Sequence, residues 1–374
     1  MREDVEIGLG RTAQRGYHLA DVALVPSRRT RDVDDVSTAW QLDAYQFRVP
    51  CVAHPSDATM SPASAVTLGR LGGLGVLNAE GLWTRYEDPS KLLAELASLD
   101  DEASATRRLQ EIYAEPILPE LIVERIRQIR EGGVTVAVRV SPQHTLKLAP
   151  VVLDAGVDIL VIQGTIVSAE HVSTADEPLN LKEFIADLDL PVIVGGCTNY
   201  QTALHLMRTG AAGVIVGIGA DEWSTSDTVL GIRVPMATAI ADAAAARRDH
   251  LDETGGRYVH LIADGDLQTS GDIAKALGCG ADAVMLGEPL SMSTEAPAQG
   301  AWWHSAASHP KLPRGAFGTA SEPLGSMEQI LFGPADRPDG TLNLFGGLRR
   351  AMAKCGYRDL KEFQRVGLII DGTG

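Results

Sequence analysis

The side chains of this chain best able to do chemistry sit in short turns that begin at, or lie beside, glycine. The longest such turn is GIGADEWSTSD, residues 217–227. After Gly217 and Gly219 it presents the hydroxyls of Ser224 and Thr225 and the carboxylates of Asp221, Glu222 and Asp227. Asp264-Gly265-Asp266 and Gly287-Glu288 add three more acids, and Asp57 and Gln163 close two further turns. A serine hydroxyl is inert without a positioned base. Carboxylates can hold a cation, orient a polar ligand or move a proton. One reading is therefore a site for a cationic or unphosphorylated small molecule, or for a metal. The competing reading is acids kept only because they are soluble.

The elements that must position these turns are legible from hydrophobic patterning. Eight apolar runs recur: RVPCVA (48–53), GLGVLN (73–78), VTVAVRV (134–140), ILVIQG (159–164), PVIVGG (191–196), AGVIVG (212–217), VHLIADG (259–265) and AVMLG (283–287). Most lack polar alternation, as strands buried on both faces do. Helix-like stretches lie between them. Residues 145–155 stop before Gly156, residues 200–209 stop at Gly210, and residues 270–277 precede Gly280. Glycine just past a helix end is a common stop. Eight buried strands alternating with helices predict an α/β chain folded as a (β/α)8 TIM barrel. A doubly wound open sheet is the alternative. The barrel core is expected over about 47–290, within one domain spanning 1–374. Residues 1–46 and 291–374 are terminal extensions, and 343–356 in the second reads as a helix. In such a barrel the turns named above gather at the C-terminal ends of the strands.

Composition removes several function classes. The net charge of −16 argues against nucleic acid and anionic membrane surfaces as partners. Cys51, Cys197, Cys279 and Cys355 are widely spaced and form no CxxC pair, and the histidines show no ligand spacing, so neither a disulfide framework nor a zinc site is expected. The N-terminus, MREDVEIG, has no apolar signal region, and no apolar stretch is long enough to span a membrane, so a cytoplasmic setting is expected. GLGRTA (8–13) imitates a dinucleotide-binding turn but follows no strand and reads as a loop. Trp302-Trp303-His304 reads as core packing, with a lid or subunit contact as the alternative.

ADGDLQTSGDIAKALGCGADAVMLG (263–287) is similar to the IMP dehydrogenase / GMP reductase family. So are DVALVP (21–26), LGGLGVL (71–77), AGVDILVI (155–162), GAAGVIVGIG (210–219) and GTLNLFGGLRRAMA (340–353). The matches run in order along nearly the whole chain, and the short 79–133 link leaves no room for an inserted CBS-domain pair. The resemblance implies a purine 5′-monophosphate over the barrel mouth, NAD(P) beside it, and a tetramer joined through barrel sides. It also implies a cysteine thiolate in the loop after the sixth strand, which attacks the purine.

Several positions depart from that pattern. Ser224 stands where the family has its cysteine, and Asp221 replaces a glycine. Asp266 and Glu288 replace the small residues of the phosphate turns. Two carboxylates opposing a phosphate at about 4–5 Å cost on the order of several kcal/mol. Gln163 replaces an aspartate, His54 and Ser56 alter the first turn, and Asp57 and Asp264 are retained, the latter as a ribose ligand. The resemblance thus implies an NAD(P)-linked purine nucleotide oxidoreductase whose thioimidate chemistry is lost or changed. The alternatives are a repurposed enzyme on another small molecule and a non-catalytic paralogue that regulates an active relative.

Overall fold

A computed structural model of the chain describes residues 4–172, 178–218 and 221–370. Each apolar run contains one barrel strand: β1 (Cys51–Ala53), β2 (Val76–Asn78), β3 (Ala137–Val140), β4 (Ile159–Gln163), β5 (Val192–Cys197), β6 (Gly213–Val216), β7 (His260–Asp264) and β8 (Ala283–Leu286). All neighbours pair in parallel, β8 pairs with β1, and a parallel bridge between Val52 and Leu74 joins β1 to the β2 segment. The sheet therefore closes, and the open-sheet alternative falls. Strand interiors are almost entirely inaccessible, because helices cover the outer face and side chains fill the inner one.

Local chemistry sets the helix ends. Ser61 caps Pro62–Leu71 in a reciprocal box with Ser64, proline occupies the first turn, and Gly72 closes the helix in the left-handed region. Asn199 caps Tyr200–Arg208, and Thr269 with Asp272 boxes Ser270–Cys279. Among the described residues no helix is long and apolar enough to cross a membrane.

The extensions dress both ends of the barrel. Val22–Val25 pairs antiparallel with Gly367–Ile370, tying the two termini together. The hairpin Trp40–Leu42/Tyr45–Phe47 lies at the N-terminal end, where Trp40 donates to Nδ1 of His260 at the start of β7. The helix expected near 343–356 is present as Leu344–Cys355. GLGRTA is more than a loop: it spans the turn and second strand of the exposed hairpin Asp4–Gly8/Arg11–Gln14. Trp302–Trp303 pairs with Phe317–Gly318, and Trp303 stacks on Phe317. Both rings belong to a second apolar cluster with Leu82, Leu93, Leu96 and Leu109. That cluster anchors the 300–318 segment beside the barrel mouth.

Candidate functional site

Because the eight strands are parallel, their C-terminal ends deliver His54, Gln163, Gly217, Asp264 and Gly287 to one rim. Glycine is required at 217: its φ is +147°, and a Cβ there would lie 1.8 Å from the Asp264 carbonyl oxygen. Gly265 at φ +130° and Asp266 at φ +54° carry the chain sharply over the end of β7.

Asp221, Asp264, Asp266 and Glu288 are partnered from within the chain. His304 Nε2 lies 3.1 Å from Asp221 Oδ1, which also accepts from the backbone N–H of Trp223 and Ser224. Burial pushes the Asp221 carboxyl up, but the His304 charge and hydrogen bond outweigh it and hold the group at about 2. His304 is in turn raised: burial lowers it, and Asp221 more than compensates. Asp264 behaves oppositely. Burial pushes it up to about 7, with His304 and the Gln163 hydrogen bond only partly offsetting this. Gln163 Nε2 donates to Asp264 Oδ2 at 3.0 Å, and His54 Nε2 lies 4.0 Å from the same oxygen. Burial drives His54 well below its ordinary value, so its ring is neutral. Two neighbouring carboxylates are thus driven in opposite directions, Asp221 down and Asp264 up.

Glu288 accepts from Trp223 Nε1 and Gln268 Nε2, each at 2.5 Å, and Asp266 faces His18 Nδ1 at 3.6 Å. Burial raises both carboxyls. Trp302 lies on Gly287, where a Cβ would be 2.3 Å from the ring. Asp221, Asp264, Asp266 and Glu288 are thus gathered at one mouth, but as members of closed networks.

Ser224 stands at the same mouth, and the remaining named residues flank it or lie away from it. Ser224 is half-buried, and the bond found for its Oγ is a long one from the Ser226 N–H, so it has no base. Thr225 precedes the short helix Ser226–Leu230, Glu222 is exposed, and Asp227 faces Arg233 at 3.8 Å. Asp57 accepts from the Tyr113 hydroxyl at 2.5 Å, and Trp303 Nε1 donates to the same hydroxyl. Burial first, tempered by Tyr113, lifts Asp57 to about 6. Gly219 lies outside the described residues. Burial pushes the Cys197 thiol, at the end of β5, up to about 12, so it supplies no thiolate near neutrality.

Sequence reasoning missed two cations. Arg139, on β3, donates twice to the Gln163 carbonyl and once to Asn78. It thereby fixes the end of β4, and its one signal was a charge inside an apolar run. Arg314 reaches the mouth from the C-terminal extension, and nothing in the residues around it marks it. The cavity here is about 70 Å³, walled by His54, Gln163, Ser224, Asp264, His304 and Arg314 among others. A second void of about 30 Å³ lies between Trp302, Gln268 and Glu288. Among the described residues no group of His, Cys, Asp and Glu is arranged to hold a metal ion.

A closed parallel barrel with a cluster of buried titratable groups at its C-terminal mouth defines the class: a (β/α)8 protein of the kind that places its site on the strand-end loops. Residues 16–323 match the family model described as the IMP dehydrogenase / GMP reductase domain, and the chain belongs to that family. It is 61% identical over 372 residues to a Mycobacterium leprae protein named as an uncharacterized oxidoreductase, covering 98% of this chain and 99% of that one. The inosine-5′-monophosphate dehydrogenase of Methanocaldococcus jannaschii is 25% identical, over 96% of this chain and 93% of that one. The crystal structure of an IMP dehydrogenase/GMP reductase-like protein from Corynebacterium glutamicum superposes with a TM-score of 0.93 at 55% identity, covering 98% and 97% of the two chains.

Proposed function

We propose that this chain is a divergent oxidoreductase-family barrel that has left the thioimidate route and takes an unphosphorylated small molecule at its mouth. The observation that carries this reading is Trp302 seated on Gly287, with Glu288 bonded to Trp223 and Gln268. These side chains fill the turn where the resemblance implies a phosphate. The cavity of about 70 Å³ at the mouth is also small beside the roughly 300–1,000 Å³ of usual ligand sites. The nucleophile is also absent, because Ser224 has no base and no thiolate is available.

The chemistry left to the mouth is that of its own acids. Asp264, at about 7, can give or take a proton near neutrality while Gln163 holds its carboxyl in place. Asp221 keeps His304 cationic beside it. Homo-oligomeric assembly through the barrel sides, which the family implies, is part of the same proposal.

Purified protein tests the reading. IMP, XMP and GMP at sub-millimolar concentration should not raise the melting temperature, and NAD(P)H-linked absorbance at 340 nm should not change with any of them. Ser224→Cys should leave both results unchanged, because the phosphate turns stay filled. Nucleotide-linked turnover in either protein overturns the proposal.

A further inference from the structure

A cavity of about 700 Å³ opens at the other end of the barrel, where β6 and β7 begin, walled by Trp40, Asp43, Ala212, Arg257, His260 and Lys361 among others. Small-molecule sites usually measure about 300–1,000 Å³. A second hollow of about 480 Å³ adjoins it, and Asp43, Ala212 and Arg257 belong to both walls.

The aromatic part of the wall is held from behind. Trp40 stacks on Phe47 with ring centroids 5.1 Å apart and donates its Nε1 to His260 Nδ1 at 3.2 Å. Nδ1 is therefore the acceptor, and the neutral ring carries its proton on Nε2. Burial, only partly offset by Asp282, lowers His260 to about 4, so the ring is uncharged near neutrality. Tyr258 stands edge-on to His260 at 5.0 Å, and Lys361 lies over the Tyr258 ring while donating to Asp282. Trp40 and His260 thus form a fixed, uncharged aromatic wall, which a ligand need not order on binding.

Two charges on the same wall are uncommitted. Arg257 donates to the Gly210 carbonyl, and Asp43 sits in the hairpin turn at φ +52°, its carbonyl held by Gln41 Nε2. Both side chains are exposed. Among the described residues no carboxylate pairs with Arg257 and no cation pairs with Asp43, although the two border the same hollows. The other acids of the wall are taken: Asp282 by Arg247 and Lys361, and Asp359 by Arg358.

We infer that this cavity binds a dipolar aromatic ligand of the class of the aromatic α-amino acids, its ring against Trp40 and His260, its carboxylate on Arg257 and its ammonium on Asp43. An aromatic carboxylate alone would set its charge beside Asp43 with nothing between them, and an aromatic amine alone would do the same beside Arg257. The site is remote from the mouth and independent of what the mouth takes.

Calorimetry and ligand-detected NMR at neutral pH test this with phenylalanine, compared with 3-phenylpropionate, phenethylamine and glycine. For a ligand of this size a Kd on the order of 1 mM is expected. Each comparison probe should bind at least about tenfold more weakly. Arg257→Gln should bring phenylalanine down to the affinity of phenethylamine. Asp43→Asn, which keeps a residue tolerant of positive φ, should bring it down to that of 3-phenylpropionate. Both positions are exposed, and melting curves should show both variants folded. No phenylalanine binding up to about 20 mM, twentyfold above that Kd, overturns the inference. Equal binding of any comparison probe overturns it as well. So does wild-type affinity for phenylalanine in either variant, which would place the probe elsewhere on the protein.

Discussion

Asp264→Asn should make the protein more stable above neutral pH, not less. The folded carboxyl sits at about 7, against an ordinary value of 3.8, because burial disfavours its ionised form. The sign follows from linkage. Between the two values the folded state holds a proton that the unfolded chain releases, so this group's contribution is fully present below about pH 4 and is lost as pH rises toward 7. Asparagine keeps the shape and can present its oxygen to Gln163 Nε2, but it has no proton to lose. The variant should therefore gain little at pH 4 and on the order of 4 kcal/mol by pH 8. Calorimetric melting of both proteins from pH 4 to 8 measures the difference. Parallel curves would show that Asp264 titrates in its ordinary range. The same change should abolish any proton transfer assigned to this site.

The second large effect lies at the opposite end of the barrel. Asp282, just before β8, is 2% exposed and accepts from Arg247, Lys361, Tyr258, Gln364 and the Leu261 N–H at 2.5–2.9 Å. Burial pushes this carboxyl up, but Arg247 and then Lys361 overcome it and hold it far below the usual range. Asp282→Ala would leave the Arg247 guanidinium buried without its carboxylate and take this acceptor from four other donors. Removing one partner of a buried pair costs about 3–5 kcal/mol. Denaturant melting should show a loss of that size, and a loss below about 1 kcal/mol would place the pair with surface ion pairs. Here the linkage runs the other way: the stabilisation is present above the ordinary carboxylate range and fades as pH falls below it.

Much of the architecture is readable before any coordinates. An apolar run without alternation must be buried on both faces, and eight such runs punctuated by glycine stops leave few folds. The turns of the candidate site were legible for the same reason, since a parallel barrel sends every strand end to one rim. What those turns do was not legible. Asp221, Asp266 and Glu288 read as an open acidic mouth, repelling phosphate and ready for a cation. In the folded chain they are spoken for by His304, His18, Trp223 and Gln268. Asp57 reads as a ligand-binding acid, and it faces Tyr113 instead.

The sequence alone determined the barrel and its eight strand ends, because these depend on residue type and on periodicity over a few positions. The tertiary structure decided the electrostatics of the mouth. Asp221 meets His304 across 83 residues, Trp223 meets Glu288 across 65, and Gln163 meets Asp264 across 101. Arg314 enters from an extension with no pattern of its own. Such pairings arise only when the barrel closes and the 300–318 segment packs over it. Burial then sets one carboxyl at about 2 and its neighbour at about 7, a difference that no local reading of two aspartates contains.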